Sequence, residues 1–127
     1  MNSLREFKEW FINLNETSLD EIVYYYDENV FFKDPFNEFN GREKLKKLFL
    51  HMFITFKNPH FVFIDTIENS EGIFLTWDFI FSYKEKLFKI HGSSHLKLND
   101  EEKIVYHRDY WDCLLYTSPS PRDGLLS

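Results

Sequence analysis

Apolar residues Leu4, Phe7, Phe11 and Leu14 recur at three- and four-residue spacing, with Ser3 placed as an N-cap and Glu6 three positions later. That pattern predicts an amphipathic first helix. Ser18 then precedes LDEIVYYY (19–26), which reads as a second short helix with acids in its first turn. A strand over 29–33 is stopped by Asp34-Pro35, because proline cannot donate to a ladder. The loop FNEFNG ends at Gly41, and 42–56 predicts a third helix with Leu45, Leu48, Phe49, Met52 and Phe53 on one side.

Beyond Pro59 the period changes from helical to alternating. The stretches HFVFIDTIE, GIFLTWDFIFSYK, KLFKIHGSSHLKL and KIVYHRDYW read as strands, separated by the turn-like ENSEG, KE and NDEE. Helices followed by a run of adjacent strands predict an α+β fold, with the helices packed on one face of a curved, mainly antiparallel sheet. Alternation then assigns faces. In 72–84 Ile73, Leu75, Trp77, Phe79 and Phe81 fall on one side, opposite Phe74, Thr76, Asp78, Ile80 and Ser82. In 86–98 Phe88, Ile90, Gly92, Ser94, Leu96 and Leu98 separate from Lys89, His91, Ser93, His95 and Lys97. The apolar sets are expected to face the helices. The last strand divides less cleanly, with Val105, His107, Asp109 and Trp111 against Ile104, Tyr106, Arg108 and Tyr110.

Composition narrows the function classes. The chain has 127 residues, enough for one core, and carries a net charge of -6, which argues against nucleic acid as a partner. No stretch approaches 18 consecutive apolar residues, and the charged N-terminus MNSLREFKEW is unlike a signal peptide, so no membrane partner is expected. Those features and a lone cysteine suit a cytoplasmic location. The aromatic share is 20%, with 15 Phe; rings that crowd a small core often line a pocket for a small hydrophobic molecule. The final stretch changes character. CLLYTSPSPRDGLLS (113–127) resembles the translation of a transposase adapter used in sequencing libraries, so the domain is expected to span 1–112, C-terminally truncated, with a non-native tail. On that reading Cys113 carries no information about redox environment.

The stretches DPFNEFNG, HMF, FLTWDFIF, GSSHLKL and HRDYWD together resemble a bacterial branch of the SnoaL-like proteins, in the nuclear transport factor 2-like superfamily. The resemblance covers 4–112. It implies a cone of three N-terminal helices on a bent sheet enclosing a pocket, a homodimer, and no bound cofactor. It also orients the last strand. HRDYWD resembles the endings of limonene epoxide hydrolases, whose first aspartate in that motif faces the pocket; by resemblance Asp109, His107 and Trp111 face inward.

Asp109 is thus the leading candidate for catalysis. A carboxylate among Phe and Trp has its charged form disfavoured, which suits it to acid–base work. His107 could share a proton with it or position a water. Equally, the two could form a satisfied polar pair, or Asp109 could bind Arg108 or Arg42. Asp34 stands where members of the fold place a polar pocket residue, although Asp before Pro also favours a turn. Trp77, Phe79, Phe81, Trp111, Phe31 and Ile90 are expected to line the pocket. The Arg-x-Asp pair of the epoxide hydrolases falls on Trp77 and Phe79, neither of which transfers a proton. A ketosteroid-isomerase mechanism needs a phenol in an oxyanion hole, and Tyr24, Tyr25 and Tyr26 all remain open for it. His91 and His95 lie on the outer face, where solvated or interfacial roles are expected rather than metal binding. His51 could reach the pocket and His60 is expected to be exposed. No phosphate loop, zinc spacing or nucleophile elbow is present. The expectation is a cofactor-independent isomerase, cyclase or lyase using Asp109 and His107; the alternative is a non-catalytic binding or protein-interaction module.

Overall fold

A computed structural model describes residues 2–111. The expectations about the tail 113–127, and about residue 112, lie outside the described residues. Helix α1 spans Asn2–Ile12, a 3-10 helix spans Ser18–Tyr24, and α2 spans Arg42–Thr55. Strands run β1 Tyr26–Lys33, β2 Glu38–Asn40, β3 Lys57–Asn69, β4 Gly72–Tyr83, β5 Lys86–Leu98 and β6 Ile104–Trp111. They form one six-stranded sheet in the order β2-β1-β6-β5-β4-β3. Every pairing is antiparallel except β1 with β6.

The sheet holds its face assignment through β4 and β5 as the alternation requires. Ile73, Leu75, Trp77, Phe79 and Phe81 are buried, as are Phe88, Ile90, Ser94 and Leu96. The hairpin between these strands closes through Lys84 and Glu85, both with positive φ, which fits the right-handed strand twist of a two-residue turn. On the covered face α1 presents Phe7, Trp10 and Phe11 to the sheet. Phe11 packs edge-on against Phe49 of α2 at 5.5 Å and Phe61 of β3 at 4.9 Å. Lys8 of α1 also donates to Thr66 of β3 at 2.8 Å.

Four expectations change. The second helix is a short 3-10 turn, entered through Asn15, whose side-chain oxygen accepts from the backbone N–H of Thr17 and Ser18. Ile22, Val23 and Tyr24 are β-branched or aromatic and lose rotamer freedom in a helix, so a longer α-helix is not favoured there. Tyr26 consequently begins β1 instead of ending a helix. The loop FNEFNG contains β2, where Phe39 pairs with and stacks on Phe32. Finally, an irregularity in the β5–β6 ladder between Lys97 and Leu98 reverses the parity at the start of β6. Ile104 is therefore buried and Val105 is not, the opposite of strict alternation.

Candidate functional site

The inner face of β6 is set by what precedes and follows its irregularity. After it, His107 pairs with Phe32 of β1 and Leu96 of β5, while Asp109 pairs with Ser94. His107 and Asp109 are two residues apart and so share a face. His107 Nε2 lies 2.7 Å from Asp109 Oδ1, and Ser94 Oγ donates to the same oxygen at 2.5 Å, within the range of a hydroxyl bonded to a carboxylate. Trp77 Nε1 donates to Ser94 Oγ at 2.9 Å. On the far side of the imidazole, the hydroxyl of Tyr26 lies 2.9 Å from His107 Nδ1.

The donors and acceptors fix the direction of this chain. Tyr26 is fully buried, and burial pushes its phenol well above its ordinary value, with the charge on Asp109 as the second cause. The phenol therefore keeps its proton and needs an acceptor, which His107 Nδ1 supplies. In that arrangement the imidazole's proton lies on Nε2 and points at Asp109. Two strings of donors thus converge on Asp109 Oδ1, from Tyr26 through His107 and from Trp77 through Ser94. Asp109 Oδ2 has no hydrogen-bond partner among the described residues.

Gly92 makes the arrangement possible. A Cβ there would stand 2.6 Å from the Trp77 ring and 2.8 Å from the carbonyl oxygen of Tyr110. Only a residue without a side chain lets the indole lie across β5 and reach Ser94.

A cavity of about 30 Å³ adjoins the chain, lined by Phe7, Phe11, Phe49, Phe61, Phe63 and Trp77, by Leu75 and Leu96, and by Ser94, His107 and Asp109. It has room for a couple of waters. Asp109 also borders an open cleft of about 260 Å³ formed by Lys33, Asp34, Pro35, Arg108, Tyr110 and Trp111. The carboxylate stands between the two spaces.

The structure separates the other candidates. Trp77 lines the cavity with His107 and Asp109. Trp111 sits in the outer cleft against Phe36 at 5.5 Å. Asp34 borders that cleft too, but its Oδ1 accepts from the backbone N–H of Phe36 and Asn37, closing the turn. Phe79 and Phe81 pack into an aromatic cluster with Phe56, Phe61 and Phe88, of which only Phe61 lines the cavity; Ile90 is likewise buried but does not line it. Phe31 is placed on the other face: it stacks on Tyr106 at 5.5 Å, and Phe32 takes the inward position beside His107. Both residues are Phe, so composition could not choose between them. His51 is exposed on α2, near Thr55, and His60 is exposed as expected. Arg42 bonds the carbonyl of Tyr26 rather than Asp109. Among the described residues no group of three or more His, Cys, Asp or Glu is placed to hold a metal.

Two members of the network had only weak sequence signals. Ser94 is a polar residue at an inward position of an otherwise apolar strand face, and Tyr26 is one of three adjacent tyrosines. Only the β1–β6 pairing, which is nonlocal in sequence, distinguishes Tyr26 from the exposed Tyr24 and from Tyr25, which stacks on Trp10 at 4.9 Å.

Residues 7–107 match the SnoaL-like domain family. No curated protein matches the sequence significantly. Among solved structures the chain is similar to an NTF2-like protein of unknown function from Exiguobacterium sp. 255-15, with 18% identity and a TM-score of 0.75 over 88% of this chain and 99% of that one. It is similar to a ketosteroid isomerase-like protein from Catenulispora acidiphila solved with trimethylamine, at 13% identity and a TM-score of 0.72 over 87% and 85% of the two chains. It also resembles SalBIII, an epoxide hydrolase/cyclase-like enzyme of pyran ring formation in salinomycin, at 18% identity and a TM-score of 0.74 over 88% and 92%. At these identities the likeness shows the fold alone.

Proposed function

The chain belongs to the SnoaL-like domain family, and on that premise we propose that its inner cavity receives a small, largely apolar molecule with Asp109 as general base. The chemistry would be cofactor-independent, of the isomerase, cyclase or lyase type. The observation that carries this reading is the convergence of two donor strings on one oxygen of Asp109, a residue that lines an aromatic cavity. His107 is buried and bonded on both ring nitrogens, so it holds the carboxylate in place. Asp34 has a lesser part, because its oxygens are engaged in the turn; Trp77 and, across the cleft, Trp111 supply apolar wall.

A second reading, binding without catalysis, is supported by the small cavity and by the absence of a free donor in it. The phenol that an oxyanion hole would need is spent on His107. The two readings part under one experiment. A panel of small apolar compounds is screened by thermal shift on the wild type and Asp109→Asn at pH 6, 7 and 8, and hits are assayed for conversion. Turnover that Asp109→Asn abolishes supports the base. Binding with no turnover and no pH-sensitive difference between the proteins removes Asp109 as a proton carrier.

The outer face supports the expected homodimer. Phe31, Tyr106, His95 and Phe74 form a continuous row across β1, β6, β5 and β4. Asp78 shares that face with Lys89, Lys97 and Arg108, so a twofold pairing can match opposite charges. Light scattering of the purified chain that finds only monomer at 100 µM (about the range of a weak dimer) would remove this part.

A further inference from the structure

The site's donors and acceptors say more about the ligand than its apolar walls do. Four side chains at or behind the cavity can donate a hydrogen bond: Tyr26, Trp77, Ser94 and His107. Each donates within the network: Tyr26 to His107, Trp77 to Ser94, and Ser94 and His107 to Asp109. None remains for a ligand carbonyl, ether or carboxylate. The polar capacity left at the cavity is acceptor capacity, chiefly that of Asp109, which lines it and whose Oδ2 has no hydrogen-bond partner among the described residues. Among the described residues no Lys or Arg forms an ion pair with that carboxylate; its one ion-pair contact is His107, whose Nδ1 meets the Tyr26 hydroxyl. Arg42 is turned to the Tyr26 carbonyl, Lys33 to Glu38, and Arg108 lies over the Tyr110 ring on the outer face.

A carboxylate beside Phe7, Phe11, Phe49, Phe61, Phe63 and Trp77, with the neighbouring donors already used, is complemented by a monocation with apolar substituents. Aromatic rings attract cations through their quadrupole, and a low-dielectric surround strengthens the charge-assisted hydrogen bond. We propose that this site recognises the ammonium head of a small alkyl amine, its N–H donating to Asp109 Oδ2. A cavity of about 30 Å³ admits a head of methylammonium size, not a branched or cyclic one. The cleft on the other side of Asp109 carries Lys33 and Arg108 and disfavours a cation, so the inner approach is the selective one. This proposal rests on the pocket reading above and adds the charge and polarity of the ligand to it.

The test uses three probes of like size, propylammonium, 1-propanol and propionate, titrated at pH 7.5 into the full chain. Binding is read from the NMR shift of the Trp77 indole N–H. Propylammonium is expected to bind about tenfold more tightly than 1-propanol, and propionate not to bind. In Asp109→Asn the preference is expected to vanish while 1-propanol binding persists; the same comparison made within the wild type does not depend on how that variant folds. If 1-propanol or propionate matches propylammonium, the ammonium proposal is overturned and the pocket stands. If none of the three moves the indole resonance, both fall together.

Discussion

Among the described residues two histidine–aspartate pairs of nearly the same length lie on opposite faces of one sheet. His107 and Asp109 meet at 2.7 Å on the inner face, and His91 and Asp78 meet at 2.8 Å on the outer face. Their surroundings differ. The side chain of His107 is 3% exposed, that of His91 68%. Asp78 is shared with Lys89 at 3.5 Å, whereas among the described residues no Lys or Arg forms an ion pair with Asp109. Distance alone therefore identifies neither pair as a site. What distinguishes the inner pair is that its imidazole is pinned on both nitrogens and that water is nearly excluded, so the loss of any member leaves a buried group unsatisfied. The outer pair can exchange each partner for solvent.

The largest expected effect breaks the two pairs separately. His107→Ala removes a buried ring, strands the Tyr26 hydroxyl and takes one donor from a partly buried carboxylate. It is expected to cost about 3–5 kcal/mol in urea unfolding. His91→Ala is expected to stay within about 0.5 kcal/mol. Equal costs would mean that burial does not separate the two pairs.

The next comparison uses neighbours on β5. Gly92→Ala forces a methyl against the Trp77 ring and the Tyr110 carbonyl, and is expected to cost about 2–3 kcal/mol, with a changed tryptophan emission. Ser93→Ala, one residue along and on the outer face, is expected to be close to neutral. A silent Gly92→Ala would show that the indole can leave Ser94 without penalty, and the donor string from Trp77 would lose its basis.

A smaller effect probes the direction of the network. Tyr26→Phe leaves His107 Nδ1 without its donor while keeping the ring packing, and is expected to cost about 1–2 kcal/mol near neutral pH. The Tyr26 phenol is raised in the folded state, so its contribution is fully present below its ordinary value of 10.0 and declines as pH rises above it. Stability measured from pH 9 to 11 should therefore fall less steeply in Tyr26→Phe than in the wild type. Parallel curves would mean that the phenol ionises as freely as in the unfolded chain.

These contrasts also mark where sequence pattern carried information. Along β4 and β5 the alternation gave the correct face for Ile73 through Phe81 and for Phe88 through Leu96, because regular antiparallel pairing preserves parity. It left β6 undivided, and there one extra residue in the ladder shifts the count, so that Ile104 and His107 are both buried. It placed Phe31 in the pocket because Val30, Phe31 and Phe32 are all apolar and carry no alternation. The inward position of His107 and Asp109 came from motif likeness. Their partners Tyr26 and Ser94 could not come from it, since each is fixed by contact across strands 81 and 15 residues away. The chain's aromatic richness suggested a pocket for a small hydrophobic molecule. Most of that ring mass instead fills a solid cluster around Phe81, and only a cavity of about 30 Å³ remains beside the polar network.

The smallest expected effect belongs to the outer face and completes the contrast between its histidines and His107. His95 lies flat on Phe74 at 4.3 Å and meets Tyr106 edge-on at 5.4 Å. Its pKa is lowered from the ordinary 6.5, first by partial burial and then by the charge of Lys97. With the folded value depressed, the unfolded chain binds the proton more readily, so folding loses stability as pH falls through 6.5 and regains it as pH rises. Because the ring is partly solvated, the loss should not exceed about 0.5 kcal/mol. His95→Gln keeps a planar polar group on Phe74 without a titrating nitrogen. The difference between wild type and His95→Gln in urea midpoint is therefore expected to widen from pH 5.5 to 7.5, in favour of the wild type at the higher pH. A difference that stays constant across that range would mean that His95 is as free to protonate in the fold as out of it, and that the aromatic row screens it no better than water screens His91.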